Sequence, residues 1–452
     1  MNPLAEELNR TLTGTCAARL LSASGTRMYF PKGILSQSAE ASEKAKVFNA
    51  TIGMSYVKGQ PMILDAIRAH LPGLSPVEAV AYAPTAGVPA LRKRWKEELL
   101  RKNPSLKGVP VSLPVVVPGL TAGVSFLADL FVDPGDAVVL PDLFWPNYRL
   151  ILEERKGARL ATYPMFTRNS ESRGSESRSS ESRSSESRGS GFNVEGFKAA
   201  LETEGRVRGK VVTILNFPNN PTGYSPTLAE AEAIVAALEQ VAAGGTDILV
   251  VSNDAYFGLQ YEEGTLRESL FARLAGRNPR ILAAKVDGQT KEDYVWGFRS
   301  GFLTFGCPGF QEEQYEALVK KVMGVVRSCV SNSAAPTQYI LHKALETPGY
   351  EEQKARYRKI LEERYRKVKD FLARHPAPAC LRPLPFNSGY FMSFECDGLS
   401  AETLRKKLLD EKGIGVIALQ EKWLRVAFSS VEAEDVEPLY TEIFAAAKAL
   451  MG

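Results

Sequence analysis

The chain has 452 residues, 44 % of them apolar and 24 % charged, the make-up of an ordinary globular protein with room for a large core. Its 56 basic and 52 acidic residues leave a net charge of only +4, and no basic arm speaks for a nucleic-acid partner. Five cysteines without a C-x-x-C pair and three scattered histidines argue against a disulfide framework and a metal site; without a signal-peptide core or an apolar run of membrane-span length, a cytoplasmic protein with no membrane partner is expected.

Residues 1–50 read as an N-terminal arm, helix-prone over 39–46. Residues 61–71 and 88–102 read as helices, with Pro61 at a first-turn position. A short strand over 115–117 runs into Pro118-Gly119-Leu120-Thr121, which opens an apolar helix. Asp133-Pro134-Gly135-Asp136 is a turn, and 137–140 is a short buried strand. Strands over 211–215 and 248–252 each lead into a loop of polar or glycine residues. Short buried strands alternating with helices predict an α/β fold, a mostly parallel central sheet with helices on both faces. In such sheets ligands bind beyond the carboxyl ends of the strands, where the unusual loops of this chain fall.

Residues 170–189 interrupt this pattern with the units SESRG, SESRS, SESRS and SESRG. They carry no apolar side chain, and an insertion over 168–191 is expected to be a mobile surface loop. A regulatory or RNA-binding tract is the functional alternative to a simple expanded repeat. Glu and Arg cancel within each unit, which favours the expanded repeat. Farther on, a helix over 351–374, a strand over 390–395, a helix over 400–411, strands over 415–419 and 424–429 and a last helix over 432–451 indicate a smaller α+β domain. The expected organisation is an arm plus part of the small domain in 1–50, a large domain in 51–331 and the small domain in 332–452.

The chemistry concentrates in 290–302, T-K-E-D-Y-V-W-G-F-R-S-G-F. There Lys291 stands eight residues before Arg299. A cofactor with an aldehyde and a phosphate arm needs such a pair, an amine to reach the carbon and a guanidinium to hold the phosphate. Upstream, N-F-P-N-N-P-T-G (216–223) places Asn220 beyond the strand at 211–215. N-D-A-Y places Asn253 and Tyr256 beyond the strand at 248–252, and L-F-W-P-N-Y places Trp145 beyond a third. Downstream, W-L-R-V-A-F sets Arg425 inside an apolar strand, a costly position for a charge without a partner.

In this order the motifs N-N-P-T-G, D-A-Y, T-K with R-x-G eight residues later, and L-R-V resemble the fold-type-I pyridoxal-phosphate enzymes of the class I/II aminotransferase family. The likeness is to the aspartate aminotransferase branch and runs from about Phe30 to the end, the serine repeat excepted. The resemblance implies pyridoxal 5'-phosphate as cofactor, an amino acid and a 2-oxo acid as substrates, and a homodimer with shared sites. It makes Lys291 the catalytic lysine that holds the cofactor. The phosphate would be bound by Arg299, by the amides of Gly119, Leu120 and Thr121 and by the Thr121 hydroxyl, with Tyr82 reaching the phosphate of the neighbouring subunit. Trp145 would stack on the ring, and Asn220 and Tyr256 would meet its phenolic oxygen. Arg425 would grip the substrate carboxylate, Gly53 would lie near the substrate pocket, and Arg327 would reach a distal carboxylate across the dimer or else merely cap a helix.

Two positions depart from the family's pattern. Gly288 stands where many relatives have serine or threonine. Asn253 stands where an aspartate normally faces the ring nitrogen, and Asp254 is expected to point the other way. Two alternatives to transamination stay open: a β-lyase, which shares Lys291 and Arg425, and a weakly active cofactor-binding regulator, which Asn253 and the serine repeat would suit.

Overall fold

The computed structural model describes residues 1–3, 6, 7, 10, 34–51, 55–58, 60–62, 64–70, 73–167 and 191–451. Gly53 and the serine repeat, 168–190, lie outside the described residues.

Seven strands form the central sheet: β1 (Val115–Val117), β2 (Ala137–Pro141), β3 (Arg159–Tyr163), β4 (Lys210–Asn216), β5 (Asp247–Asn253), β6 (Ile281–Asp287) and β7 (Gly301–Gly306). Their order is β1-β7-β6-β5-β4-β2-β3. All neighbours run parallel except β7, which is antiparallel to both β1 and β6. The central strands are covered on both faces: 211–216 and 248–253 are buried throughout. That is why they read as continuous apolar runs rather than alternating ones.

Five helices matter for the site: α1 (Pro89–Lys102), α2 (Leu120–Phe131), α3 (Gln289–Glu292), α4 (Glu312–Cys329) and α5 (Tyr350–Arg374). A second, antiparallel sheet has the order β8-β9-β11-β10, from β8 (Leu381–Pro383), β9 (Phe391–Cys396), β10 (Ile417–Leu419) and β11 (Trp423–Ala427). The N-terminal helix Ile34–Lys44 packs on this part of the chain, with the Gln37 side chain hydrogen-bonded to both backbone groups of Ala418. Phe48–Asn49 pairs in parallel with Ile414–Gly415.

The expectation of a helix over 61–71 is corrected. Pro61 pairs with Tyr56 in a two-residue strand, and only Asp65–Arg68 is helical. Met62 and Leu64 are both buried, a spacing of two that serves extended chain and not a helix. A further helix, Pro76–Val80, begins at a Ser75/Glu78 capping box. Strands β6 and β7 also escaped the sequence reading. Lys285 and Asp287 break the apolar run of the first, and glycines bound the second.

Candidate active site

The carboxyl ends of β4, β5 and β6 converge on the start of α2. Asn193, Thr227 and Ser400 each cap a backbone amide of the helix they begin, whereas α1, α3 and α5 begin, like α2, without a side-chain cap. Gly119 at the start of α2 supplies no side chain, so its first amides are left for an anion. Gly119 has φ 91°, and a Cβ there would collide with the Arg299 guanidinium, which sits against this helix end. A Cβ on Gly301 would lie 3.0 Å from the carbonyl carbon of Gly119, and one on Gly288 would lie 2.9 Å from both Gly301 Cα and Ser300 O. Close backbone packing therefore leaves no room at 288 for the hydroxyl side chain that similar enzymes carry. Ser300 contributes a buried hydroxyl without a hydrogen-bond partner.

Lys291 lies on the single turn α3. From there to Arg299 the backbone twice enters the left-handed region at a residue other than glycine, at Tyr294 (φ 58°) and at Arg299 (φ 52°). Such residues persist only where surrounding packing holds them. The Lys291 Nζ is 5.1 Å from the centre of the Tyr256 ring. Burial, and then the charge of Arg299, lower its pKa to about 8. No carboxylate among the described residues pairs with it.

Tyr256 is 4 % exposed, and its phenol is pushed up by burial, against the charge of Arg425 and a hydrogen bond with Asn220. Its ring meets those of Tyr390 and Phe391 edge-on. Arg425, 2 % exposed on β11, lies 4.2 Å above the Phe391 ring. It donates to Asn220 Oδ1 (3.0 Å) and Thr51 O (3.2 Å), while its Nε has no partner. Burial lowers its pKa to about 10. A buried guanidinium without an acid is a site for a carboxylate from outside. The loop that presents Asn220 is held from within: the Asn220 amide donates to Asn216 Oδ1 (2.9 Å), and Asn216 Nδ2 donates to Asn253 O (2.8 Å). Gly223 is required because a Cβ there would strike Phe391 O.

Asn253 closes β5. Its Nδ2 donates to the Tyr148 hydroxyl at 2.7 Å, and its buried Oδ1 has no partner. Trp145 meets Tyr148 edge-on, with ring centres 5.5 Å apart. Asp254 turns to Lys285 Nζ, 2.8 Å away, and Asp287 holds the same amine at 2.6 Å. Among the described residues no carboxylate is hydrogen-bonded to the Asn253 side chain.

The remaining expected residues are spread more widely. Tyr82 is 89 % exposed, and Arg327, in the last turn of α4, donates to Ser331 Oγ at 2.5 Å. Tyr148, Asn216 and Lys285 were not foreseen. Tyr148 ends the very motif W-P-N-Y that supplies Trp145, and Asn216 opens the one that supplies Asn220. Lys285 carried no local signal.

The residues present fit pyridoxal phosphate. A bare helix N-terminus with Arg299 suits the phosphate, a half-buried amine with no carboxylate partner among the described residues suits the aldehyde, and the orphaned Asn253 Oδ1 offers the ring a polar contact. The sequence profile described as "Aminotransferase class I and II" matches residues 53–443. The chain is 26 % identical over 307 residues to an aspartate aminotransferase of Geobacillus stearothermophilus, a match spanning 67 % of this chain and 65 % of that one. It is 24 % identical over 364 residues to an arginine–pyruvate transaminase of Pseudomonas aeruginosa, spanning 79 % of this chain and 77 % of the relative. Its fold overlays the crystal structure of an aminotransferase from Anaerococcus prevotii with a TM-score of 0.80 at 21 % identity, over 95 % of this chain and 99 % of that one. Motif order, sheet topology and a profile matched over most of the sequence agree, and the chain belongs to the aminotransferase class I and II family, the pyridoxal-phosphate-dependent transaminases.

Proposed function

We propose that the protein is a homodimeric transaminase that moves an amino group between an amino acid and a 2-oxo acid by a ping-pong mechanism, in cytoplasmic amino-acid metabolism, with glutamate or aspartate as one partner. One observation carries the reading. Two cations that pair with no carboxylate among the described residues, the half-buried Lys291 amine and the buried Arg425 guanidinium, both lie next to Tyr256.

Bound pyridoxal phosphate supplies the electron sink for loss of a proton from the substrate Cα. The protein does the rest. Arg299 and the amides of Gly119 to Thr121 hold the phosphate. Arg425 binds the substrate carboxylate through its fork, oriented by Asn220. Lys291, with its pKa near 8, has a usable neutral fraction at neutral pH and takes and returns the Cα proton. Tyr256 and Asn220 donate toward the phenolic oxygen, and Trp145 covers the ring.

The homodimer is supported by Tyr82, which with Val77 (66 % exposed) and Val80 (85 % exposed) leaves an apolar surface uncovered. No helix among the described residues is long and apolar enough to cross a membrane. The named activities of the relatives, aspartate aminotransferase among them, support an acidic amino acid as donor. Arg327 is the residue to test for its distal carboxylate.

The test is a half-reaction screen: the loaded enzyme is mixed with each amino acid in turn, and loss of the cofactor's absorbance and release of the matching 2-oxo acid are followed. No response to any amino acid overturns the reading.

A further inference from the structure

Helix α5 carries two cations one turn apart that reach into the site from behind. Lys354 Nζ lies 2.8 Å from Glu292 Oε1 and 2.8 Å from Asp293 Oδ1, the two residues that follow Lys291. Lys102 of α1 pairs with the same Glu292 carboxylate. Four residues on, Arg358 donates to Gly258 O (3.2 Å) and Gln260 O (2.6 Å), in the loop that follows Tyr256. Residues four apart share a helix face, so one rigid rod grips both segments. Between the two cations Tyr357 packs its ring on Tyr294, which holds a left-handed conformation three residues after Lys291. Farther along, Arg364 fastens the rod to Ser429 O (2.5 Å) and Tyr56 O (2.6 Å), beyond the strand that carries Arg425.

We infer that Lys354 and Arg358 are positioning residues of the active site, setting the Lys291 amine against the Tyr256 phenol by clamping the segments that carry them. The inference rests on the reading of Lys291 as the cofactor lysine. Both act through other residues, Lys354 through Glu292 and Asp293 and Arg358 through the carbonyls of Gly258 and Gln260. Lys354 also completes a buried charge cluster with Lys102, Glu292 and Asp293 in the two residues that follow Lys291 in the chain. Other titratable and charged groups around the amine are Arg299 on its own segment, Tyr256 in the loop after β5, and Tyr390, whose hydroxyl donates to Lys291 O at 3.3 Å.

The experiment compares the full-length protein with Lys354→Met, Lys354→Arg and Arg358→Met. Lys291 is modified with cyanate in protein stripped of cofactor, and peptide mass spectrometry gives the pH midpoint of its reactivity. Removing Lys354 unfastens Glu292 and Asp293, and with them the turn that carries Lys291, so the midpoint should shift by about half a pH unit or more. Lys354→Arg keeps the charge and should restore the midpoint. In the loaded enzyme, Arg358→Met should lower kcat by roughly 3- to 10-fold, with little change in KM for the amino donor, because Tyr256 acts on the cofactor. Arg358 is partly exposed, so its replacement is tolerated even if Lys354→Met does not fold. An unmoved midpoint in folded Lys354→Met, an arginine variant that behaves like the methionine one, or an unchanged kcat in Arg358→Met overturns the inference. Borohydride fixation of the cofactor on another residue would instead sink the functional reading, while the cyanate midpoints would still be read.

Discussion

Two lysines stand six residues apart, one buried and one half-buried, and their surroundings are opposite. Lys285, 1 % exposed inside β6, is held between Asp254 and Asp287 at 2.8 and 2.6 Å. Trp95 Nε1 donates to the second carboxylate from α1. Burial alone would push the pKa of Lys285 down, but the two carboxylates push it well up. Lys291, just past the strand, pairs with no carboxylate among the described residues, and desolvation with Arg299 nearby takes it to about 8. Desolvation acts on both; ion pairing decides which stays a permanent cation and which can exchange a proton. The paired lysine ties β5 to β6 and turns Asp254 away from the site. The unpaired one is the lysine proposed to hold the cofactor.

The largest effect should come from removing the reactive amine. Lys291→Ala is expected to lose at least ~1,000-fold in turnover with its melting temperature little changed. Borohydride reduction of the wild type with cofactor bound should place the label on Lys291. Label on Lys285 or Lys210 would erase the contrast.

Breaking the paired lysine should cost stability. Lys285→Met strands two buried carboxylates, and urea unfolding should give a loss of about 3–5 kcal/mol. A loss under about 1 kcal/mol would mean that the triad is not a buried network.

The contrast also has a pH signature. In protein stripped of cofactor, the reactivity of Lys291 toward cyanate should rise with a midpoint near pH 8, as the amine loses its proton, while Lys285 stays unmodified throughout. The lowered pKa means that the unfolded chain binds the extra proton more readily, so stability should increase as pH rises from about 8 toward the ordinary lysine range; Lys291→Met should flatten that slope. Equal reactivity of both lysines at pH 8 would contradict the assignment.

A smaller effect tests the side of the sheet that lacks an acid. Asn253→Asp adds a carboxylate where only the amide and Tyr148 now stand. It should speed the Cα-proton step roughly 10-fold in single turnover. An unchanged or slower step with cofactor fully bound would mean that Asn253 does not face the ring nitrogen.

The smallest effect is expected from deleting 170–189. Phe166 and Phe192 form an antiparallel bridge, and the Thr167 amide donates to Gly191 O at 3.2 Å, so the described ends of the insertion already meet. Activity and melting temperature should be nearly unchanged, since shortening a closed loop costs little. A fall of several degrees on thermal unfolding would reveal packing by the repeat.

Much of the site can be read from the chain alone because its parts are local. Lys291 and Arg299 share one segment, Asn220 and Tyr256 each lie just beyond a strand, and Gly119 opens a helix. Spacing and short-range propensity report such features directly. Strand 115–117 and the helix begun at Pro89 were legible for the same reason. The tertiary structure alone decided which lysine is paired, because Asp254 and Lys285 meet only when β5 and β6 lie side by side. It also decided the contact of Asn253 with Tyr148, the grip of Lys354 and Arg358, and the close backbone packing that makes Gly288 necessary. These depend on electrostatics and close contact between residues far apart in the chain, and no local pattern encodes the burial that gives them their strength.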